Sequence, residues 1–182
     1  MTTIYLIRHG QASFGAESYD KLSPNGELQA KLLGQYFNKI LKEEPYVVAG
    51  SMQRHQQTAN LALAECFPEA SIVTDYAWNE FNHQQVFAQY EPRFNEPHLL
   101  KADVENETNP RAYLAKIFEG AIERWTGGDY HHEYDESWPD FKNRVETALQ
   151  NLSDELAKTK PRYAVVFTSG GVISVAAGKL LE

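Results

Sequence analysis

The chain reads as an α/β protein: a three-layer sandwich with a mainly parallel central sheet and helices on both faces. Two observations predict this. Short β-branched and aromatic runs alternate with longer segments of helical period along most of the 182 residues, the pattern of strands joined through crossover helices. The runs also end in polar or glycine-bearing turns, at Arg8-His9-Gly10, Gly50-Ser51 and Thr168-Ser169-Gly170-Gly171.

The elements follow in order. Thr3 to Ile7 is a β-branched and aromatic run that predicts a buried strand. Ser23-Pro24 supplies an N-cap and a proline at the first helical position. Leu28, Leu32, Tyr36 and Ile40 then recur every four residues, which predicts an amphipathic helix carrying them on its apolar face. Tyr46 to Ala49 reads as a second strand, Gln53 to Phe67 as a helix stopped by Pro68, and Ser71 to Thr74 as a short third strand. Asn109-Pro110 caps a helix whose apolar positions Leu114, Ile117, Phe118, Ala121, Ile122 and Trp125 follow the i, i+3, i+4 rule. Ser137-Trp138-Pro139-Asp140 has the form of a capping box before Phe141, Val145, Ala148, Leu149, Leu152 and Leu156. Ala164 to Phe167 is the last strand, and a short terminal helix follows it.

One domain over residues 1–182 is expected, with residues 84–135 as a helical lid insertion within it. In that stretch prolines 92, 97 and 110 break the pattern, and five Lys/Arg against ten Asp/Glu place −5 of the total charge of −8. An excess of Asp+Glu (25) over Lys+Arg (17) repels phosphate backbones and offers no basic stripe for counterion release, so nucleic acid is not an expected partner. Cys66 stands alone and cannot form an internal disulfide. The apolar run from Met1 to Ile7 is too short for a signal peptide, and no segment has the length of a membrane span. A cytoplasmic location without membrane contact is the expectation.

Ligands of open α/β sheets bind beyond the carboxyl ends of the strands. Arg8-His9-Gly10, Ser51 to Arg54 and Ser169-Gly170 all fall at that edge. A histidine straight after a strand, with one arginine beside it and a second after another strand, suits phosphoryl transfer. A neutral imidazole attacks phosphorus while guanidinium groups hold the non-bridging oxygens through charge-assisted hydrogen bonds. By spacing alone, the same residues also make a solvated turn in which both arginines pair with acidic neighbours.

Several ordered motifs go further. Arg8-His9-Gly10 after its strand, Asp20-Lys21-Leu22-Ser23 through Gly26 and Gln29-Ala30, Ser51-Met52-Gln53-Arg54-His55-Gln56-Gln57-Thr58-Ala59, and Trp78-Asn79-Glu80-Phe81 stand in sequence. Glu136-Ser137 through Phe141 and Arg144 completes the set. Together they resemble the histidine phosphatase superfamily, the phosphoglycerate mutase-like group, from Ile4 to Val175. The resemblance implies a phosphoglycerate mutase-like fold, a small-molecule phosphate monoester as substrate, and no metal or other cofactor. It implies His9 as a nucleophile that becomes a phosphohistidine, with Arg8 and Arg54 binding the phosphoryl group; Ser169 through its hydroxyl, and Ser169 and Gly170 through backbone N–H groups at a helix N-terminus, are expected to face the same anion. Glu80 would protonate the leaving oxygen and then activate water.

Two departures are visible. Where members of that family commonly carry a second histidine, this chain has Ser169. A hydroxyl donates one hydrogen bond and brings no charge, which predicts weaker transition-state stabilisation unless His55 or His83 substitutes in space. On the same reasoning, Ser169→His is expected to raise the rate. In the first loop, Gly15 stands where a phosphate-contacting Asn is frequent. The terminal helix after Gly171 is also short for that family, which leaves room for a native tail beyond Glu182.

Other readings compete. A phospho-ligand binding or regulatory protein would keep the arginine pocket without chemistry, although it has no need of His9 or Glu80. A phosphoglycerate mutase is a second alternative. A serine hydrolase with Ser169 as nucleophile lacks the glycine two residues earlier, where Phe167 stands. A metal site on His131-His132 with His83 and His98 lacks a recognisable ligand spacing. Neither a Walker A nor a GxGxxG sequence occurs, so no nucleotide cofactor is implied.

Overall fold

A computed structural model describes residues 1–13 and 20–181. Strands β1 (Thr3–Arg8), β2 (Tyr46–Ala49), β3 (Ile72–Thr74) and β4 (Tyr163–Thr168) form one sheet, ordered β1-β4-β2-β3, with every pair parallel. The described helices are α1 (Pro24–Ile40), α2 (Gln53–Ala64), α3 (His83–Tyr90), α4 (Pro97–Asn106), α5 (Pro110–Thr126), α6 (Trp138–Thr159) and α7 (Gly170–Leu181). Two compact units result, Met1–Glu80 with Arg144–Glu182, and Phe81–Asn143.

In the first unit the sheet is a middle layer. Every residue of β4 is buried, because β4 is central and both its faces are covered. Val165 and Phe167 join Phe37 of α1 and Ala59, Ala62 and Leu63 of α2 in one core. The alternate residues Ala164 and Val166 point to the other face and are buried as well. There α7 packs on β1, and the Lys179–Glu146 ion pair links α7 to α6.

Two expectations are corrected. The run Thr3 to Ile7 is an edge strand, with Thr3 and Ile4 exposed and Tyr5 to Ile7 partly buried. Its composition is that of β4, and only its place at the end of the sheet order exposes it. Helix α1 begins as predicted, with Ser23 Oγ accepting from the Gly26 N–H and Pro24 in the first turn. Its buried side, however, is Gly26, Ala30, Gly34 and Phe37, whereas Leu28, Leu32 and Tyr36 are more than half exposed. The cause is the approach of α1 to α2: a Cβ on Gly34 would collide with the Ala62 carbonyl, so only a side of small residues fits there.

The second unit centres on aromatic rings. Trp125 lies 4.6 Å from Phe81 and 5.4 Å from Phe141 between ring centroids, and its indole N–H donates to the Glu136 carbonyl. The capping box at the start of α6 is present, Ser137 Oγ accepting from the Asp140 N–H while Asp140 Oδ2 accepts from Ser137. Helix α3 is capped by Asn82, whose side chain accepts from the Gln85 N–H, and α4 opens on Pro97.

Candidate active site

The carboxyl ends of all four strands are tied to one another by backbone hydrogen bonds. The His9 N–H donates to the Thr168 carbonyl, the Gly50 N–H to Phe167, and the Asp75 N–H to Ala49, each at 3.0 Å. The exits of β1, β4, β2 and β3 therefore stand side by side, and the predicted site residues leave from them: His9, Ser169, Arg54 and Glu80.

His9 is half-buried, and its Nδ1 lies 2.6 Å from its neighbour Gly10's carbonyl oxygen. A carbonyl only accepts, so Nδ1 carries the proton and Nε2 presents a lone pair. Arg54 Nε donates to that Nε2 at 3.2 Å, which agrees with this tautomer. Burial pushes the His9 pKa down to about 4; the Gly10 carbonyl and Asp20 oppose the shift, while Arg54 and Arg8 add to it. The imidazole is neutral at pH 7 and has its Nε2 directed at a guanidinium.

Arg54 is 5% exposed and doubly held. Its second arm donates to Asp20 Oδ1 at 2.6 Å, and Asp20 Oδ2 accepts from the Gln53 N–H at 2.7 Å. Thr58, one turn along α2, donates to the Arg54 carbonyl and accepts from the Gly10 N–H, which joins α2 to the His9 turn. Arg8 is exposed at the end of β1, in register with Thr168. A Cβ on Gly170 would stand 3.7 Å from Arg8 Nε, so the predicted residues Arg8 and Gly170 are neighbours.

Behind Ser169 sits His55. Its ring is fully buried, its Nε2 lies 2.6 Å from Ser169 Oγ, and its centroid is 5.6 Å from that of His9. Burial pushes its pKa down to about 3, with Arg54 and His9 adding to the shift. A Cβ on Gly50 would collide with His55 Nδ1, so the turn after β2 is shaped to admit the ring.

Glu80 is held from two sides. Its Oε2 accepts from the Gly171 N–H at 3.0 Å, in the first turn of α7. Its loop is bracketed by Arg144, which donates to the carbonyls of Ala77 and Asn79, and by Thr168 Oγ1, which donates to the Trp78 carbonyl. Asn79 exchanges hydrogen bonds with Ser51 after β2. Gly15 falls outside the described residues.

A family model described as histidine phosphatase superfamily (branch 1) matches residues 4–98, just over half of the chain. The chain belongs to the histidine phosphatase superfamily. No curated protein matches it. Among solved structures, phosphoglycerate mutase from Bacillus anthracis is similar with a TM-score of 0.66 at 18% identity, over 98% of this chain and 79% of that one. Phosphoserine phosphatase from Entamoeba histolytica has a TM-score of 0.62 at 17% identity, over 100% of this chain and 80% of that one. Alpha-ribazole phosphatase from Shigella flexneri has a TM-score of 0.58 at 18% identity, over 97% of this chain and 78% of that one. These likenesses are of fold, and the phosphoglycerate mutase-like α/β architecture is common to them.

The superfamily motifs thus fall on the strand exits. Three contacts were not specified beforehand: the Asp20 carboxylate on Arg54, the Arg144 clamp on the Glu80 loop, and the hydrogen bond between Ser169 and His55, a residue raised in the sequence only as one that could stand in near Ser169. Arg144 had a signal, since it lies on the α6 face of Phe141, Val145 and Ala148, where a charge needs an inward partner. The other two pairings join residues far apart in sequence that carry no periodic pattern. Among the described residues, no helix is long and apolar enough to cross a membrane, and no cluster of three His, Cys, Asp or Glu side chains is placed to hold a metal ion.

Proposed function

We propose that the chain is a phosphatase that hydrolyses a phosphate monoester through a phosphohistidine on His9. The observation that carries this reading is the state of His9: neutral, with Nδ1–H donated to the Gly10 carbonyl and the Nε2 lone pair facing Arg54. That is the tautomer an attacking imidazole needs.

In the first step Nε2 attacks phosphorus and the ester P–O bond breaks, with Glu80 giving its proton to the leaving oxygen. The ring now carries positive charge, which the Nδ1–H bond to Gly10 stabilises. Arg54 and Arg8 take the non-bridging oxygens, and Arg54 Nε moves its donor from the nitrogen to an oxygen as the new bond forms. In the second step Glu80 accepts a proton from water, the water oxygen attacks phosphorus, and the P–N bond breaks to restore the Nε2 lone pair. Both displacements rely on positioned positive groups.

Two finer parts come from the sequence. Residues 84–135 act as a lid in the manner of the family, and their charge of −5 disfavours densely anionic substrates. The substrate is a monophosphate ester with a small, neutral or cationic leaving group, and hydrolysis is preferred to mutase transfer, which must retain a doubly charged intermediate. Comparing hydrolysis of a generic aryl phosphate with isomerisation of 3-phosphoglycerate tests this. Hydrolysis with little isomerisation is expected, and dominant mutase turnover would contradict it.

A further inference from the structure

We propose that His55 is a positioning residue for the phosphoryl site: its Nε2–H donates to Ser169 Oγ and thereby fixes the Ser169 O–H as a donor to a phosphoryl oxygen. This rests on the phosphohistidine reading above and names the device by which a serine serves that site.

The 2.6 Å contact alone allows either partner to donate. His55 Nδ1 decides between them, because it is buried with no hydrogen-bond partner. Buried N–H groups are almost never left without an acceptor, whereas under-satisfied acceptors are less rare. The proton therefore resides on Nε2, which donates, and Ser169 Oγ accepts. The serine's own proton then has to point elsewhere.

The same logic removes the alternative of Ser169 as an activated nucleophile. That role needs Nε2 as the acceptor of the serine proton, with Nδ1–H oriented by a third group. Nδ1 instead faces Gly50, in a gap that a Cβ would close.

Location supplies the rest. Ser169 directly follows Thr168, whose carbonyl holds the His9 N–H. His55 directly follows Arg54, which touches His9 Nε2. The pair is thus built from the two chain segments that flank the nucleophile. A hydroxyl free to rotate loses entropy when it binds an oxyanion, and one already oriented by a buried donor loses less. Depression of the His55 pKa to about 3 keeps the ring in its single-proton form throughout the working range.

The test is a cycle of His55→Leu, Ser169→Ala and the double variant, together with His55→Gln, whose amide donates at similar reach. Phosphoenzyme formation and turnover of an aryl phosphate are measured below the melting temperature of every variant. His55→Leu and Ser169→Ala are each expected to lower kcat by about ten- to a hundredfold with KM changed less than about threefold. The double variant is expected to be no worse than either single, and His55→Gln to stay within about threefold of wild type. If His55→Leu does not fold, His55→Ala takes its place in the cycle. Multiplicative losses, an unchanged kcat in folded His55→Leu, or a His55→Gln as impaired as His55→Leu would each overturn the proposal while leaving the phosphohistidine in place. A wild-type chain that takes no label on His9 would instead overturn the reading on which it rests.

Discussion

The turn after β1 and the first turn of α2 each carry a histidine that burial holds neutral, and the two differ in what each ring has left to offer. His9 uses Nδ1 on a local carbonyl and keeps a lone pair on Nε2 beside Arg54. His55 uses Nε2 on Ser169, and its other nitrogen is sealed against Gly50. One ring is half-buried and directed at the strand exits, while the other is fully buried behind them. Chemical type and depressed pKa are shared, so in the proposed mechanism accessibility and hydrogen-bond direction separate the attacking imidazole from the supporting one.

Removing the attacking ring should have the largest effect. His9→Ala is expected to abolish labelling and to lower turnover by about a thousandfold or more, in a chain that still melts cooperatively. Glu80→Gln leaves attack possible but removes the proton donor and the base for water. It should slow both steps by about a hundredfold or more, measured by stopped-flow release of an aryl leaving group and of phosphate. Arg54→Ala should cost about a hundredfold in kcat/KM, and an equal loss with an Arg54→Lys variant would show that the fork geometry matters beyond charge.

Acid pH tests the comparison in two ways. With His9 near 4, the acid limb of phosphoenzyme formation is expected close to pH 4; a limb near 6.5 would place the ring in a more solvated setting. Both histidines are depressed in the folded state, so the unfolded chain binds more protons below the ordinary value of 6.5. Their contribution to stability is full above 6.5 and is lost as pH falls towards 4 for His9 and 3 for His55. Thermal melts between pH 7 and pH 5 should therefore show a shallower decline for His9→Ala than for wild type. Asp20→Asn should have the smallest effect, a few-fold change in KM, because that carboxylate is 40% exposed and its pairing with Arg54 is partly screened.

Much of this architecture was legible in the sequence. Strand runs and capping residues located β2, α1, α5, α6 and β4, because backbone propensity and caps act locally. Orientation was less legible. In α6 the apolar stripe is the buried side, whereas in α1 the stripe of Leu28, Leu32 and Tyr36 faces outward and a row of small residues is packed against α2. Periodicity finds a face, but the closeness of a neighbouring backbone decides which face is buried. The site behaves likewise: ordered motifs indicated His9, Arg54 and Glu80, while the meeting of His55 with Ser169 depends on β4 lying between β1 and β2. That meeting also revises the expectation for Ser169→His, since His55 already occupies the space behind residue 169 and a second ring there would overpack a buried position.

The most direct test is to quench the protein during turnover of a phosphate monoester under alkaline conditions and map the phosphoryl group by mass spectrometry. One acid-labile phosphoryl group on Nε2 of His9, absent from His9→Ala, is the predicted result. An acid-stable phosphoryl group on Ser169, or steady phosphate release with no histidine ever labelled, would contradict the account.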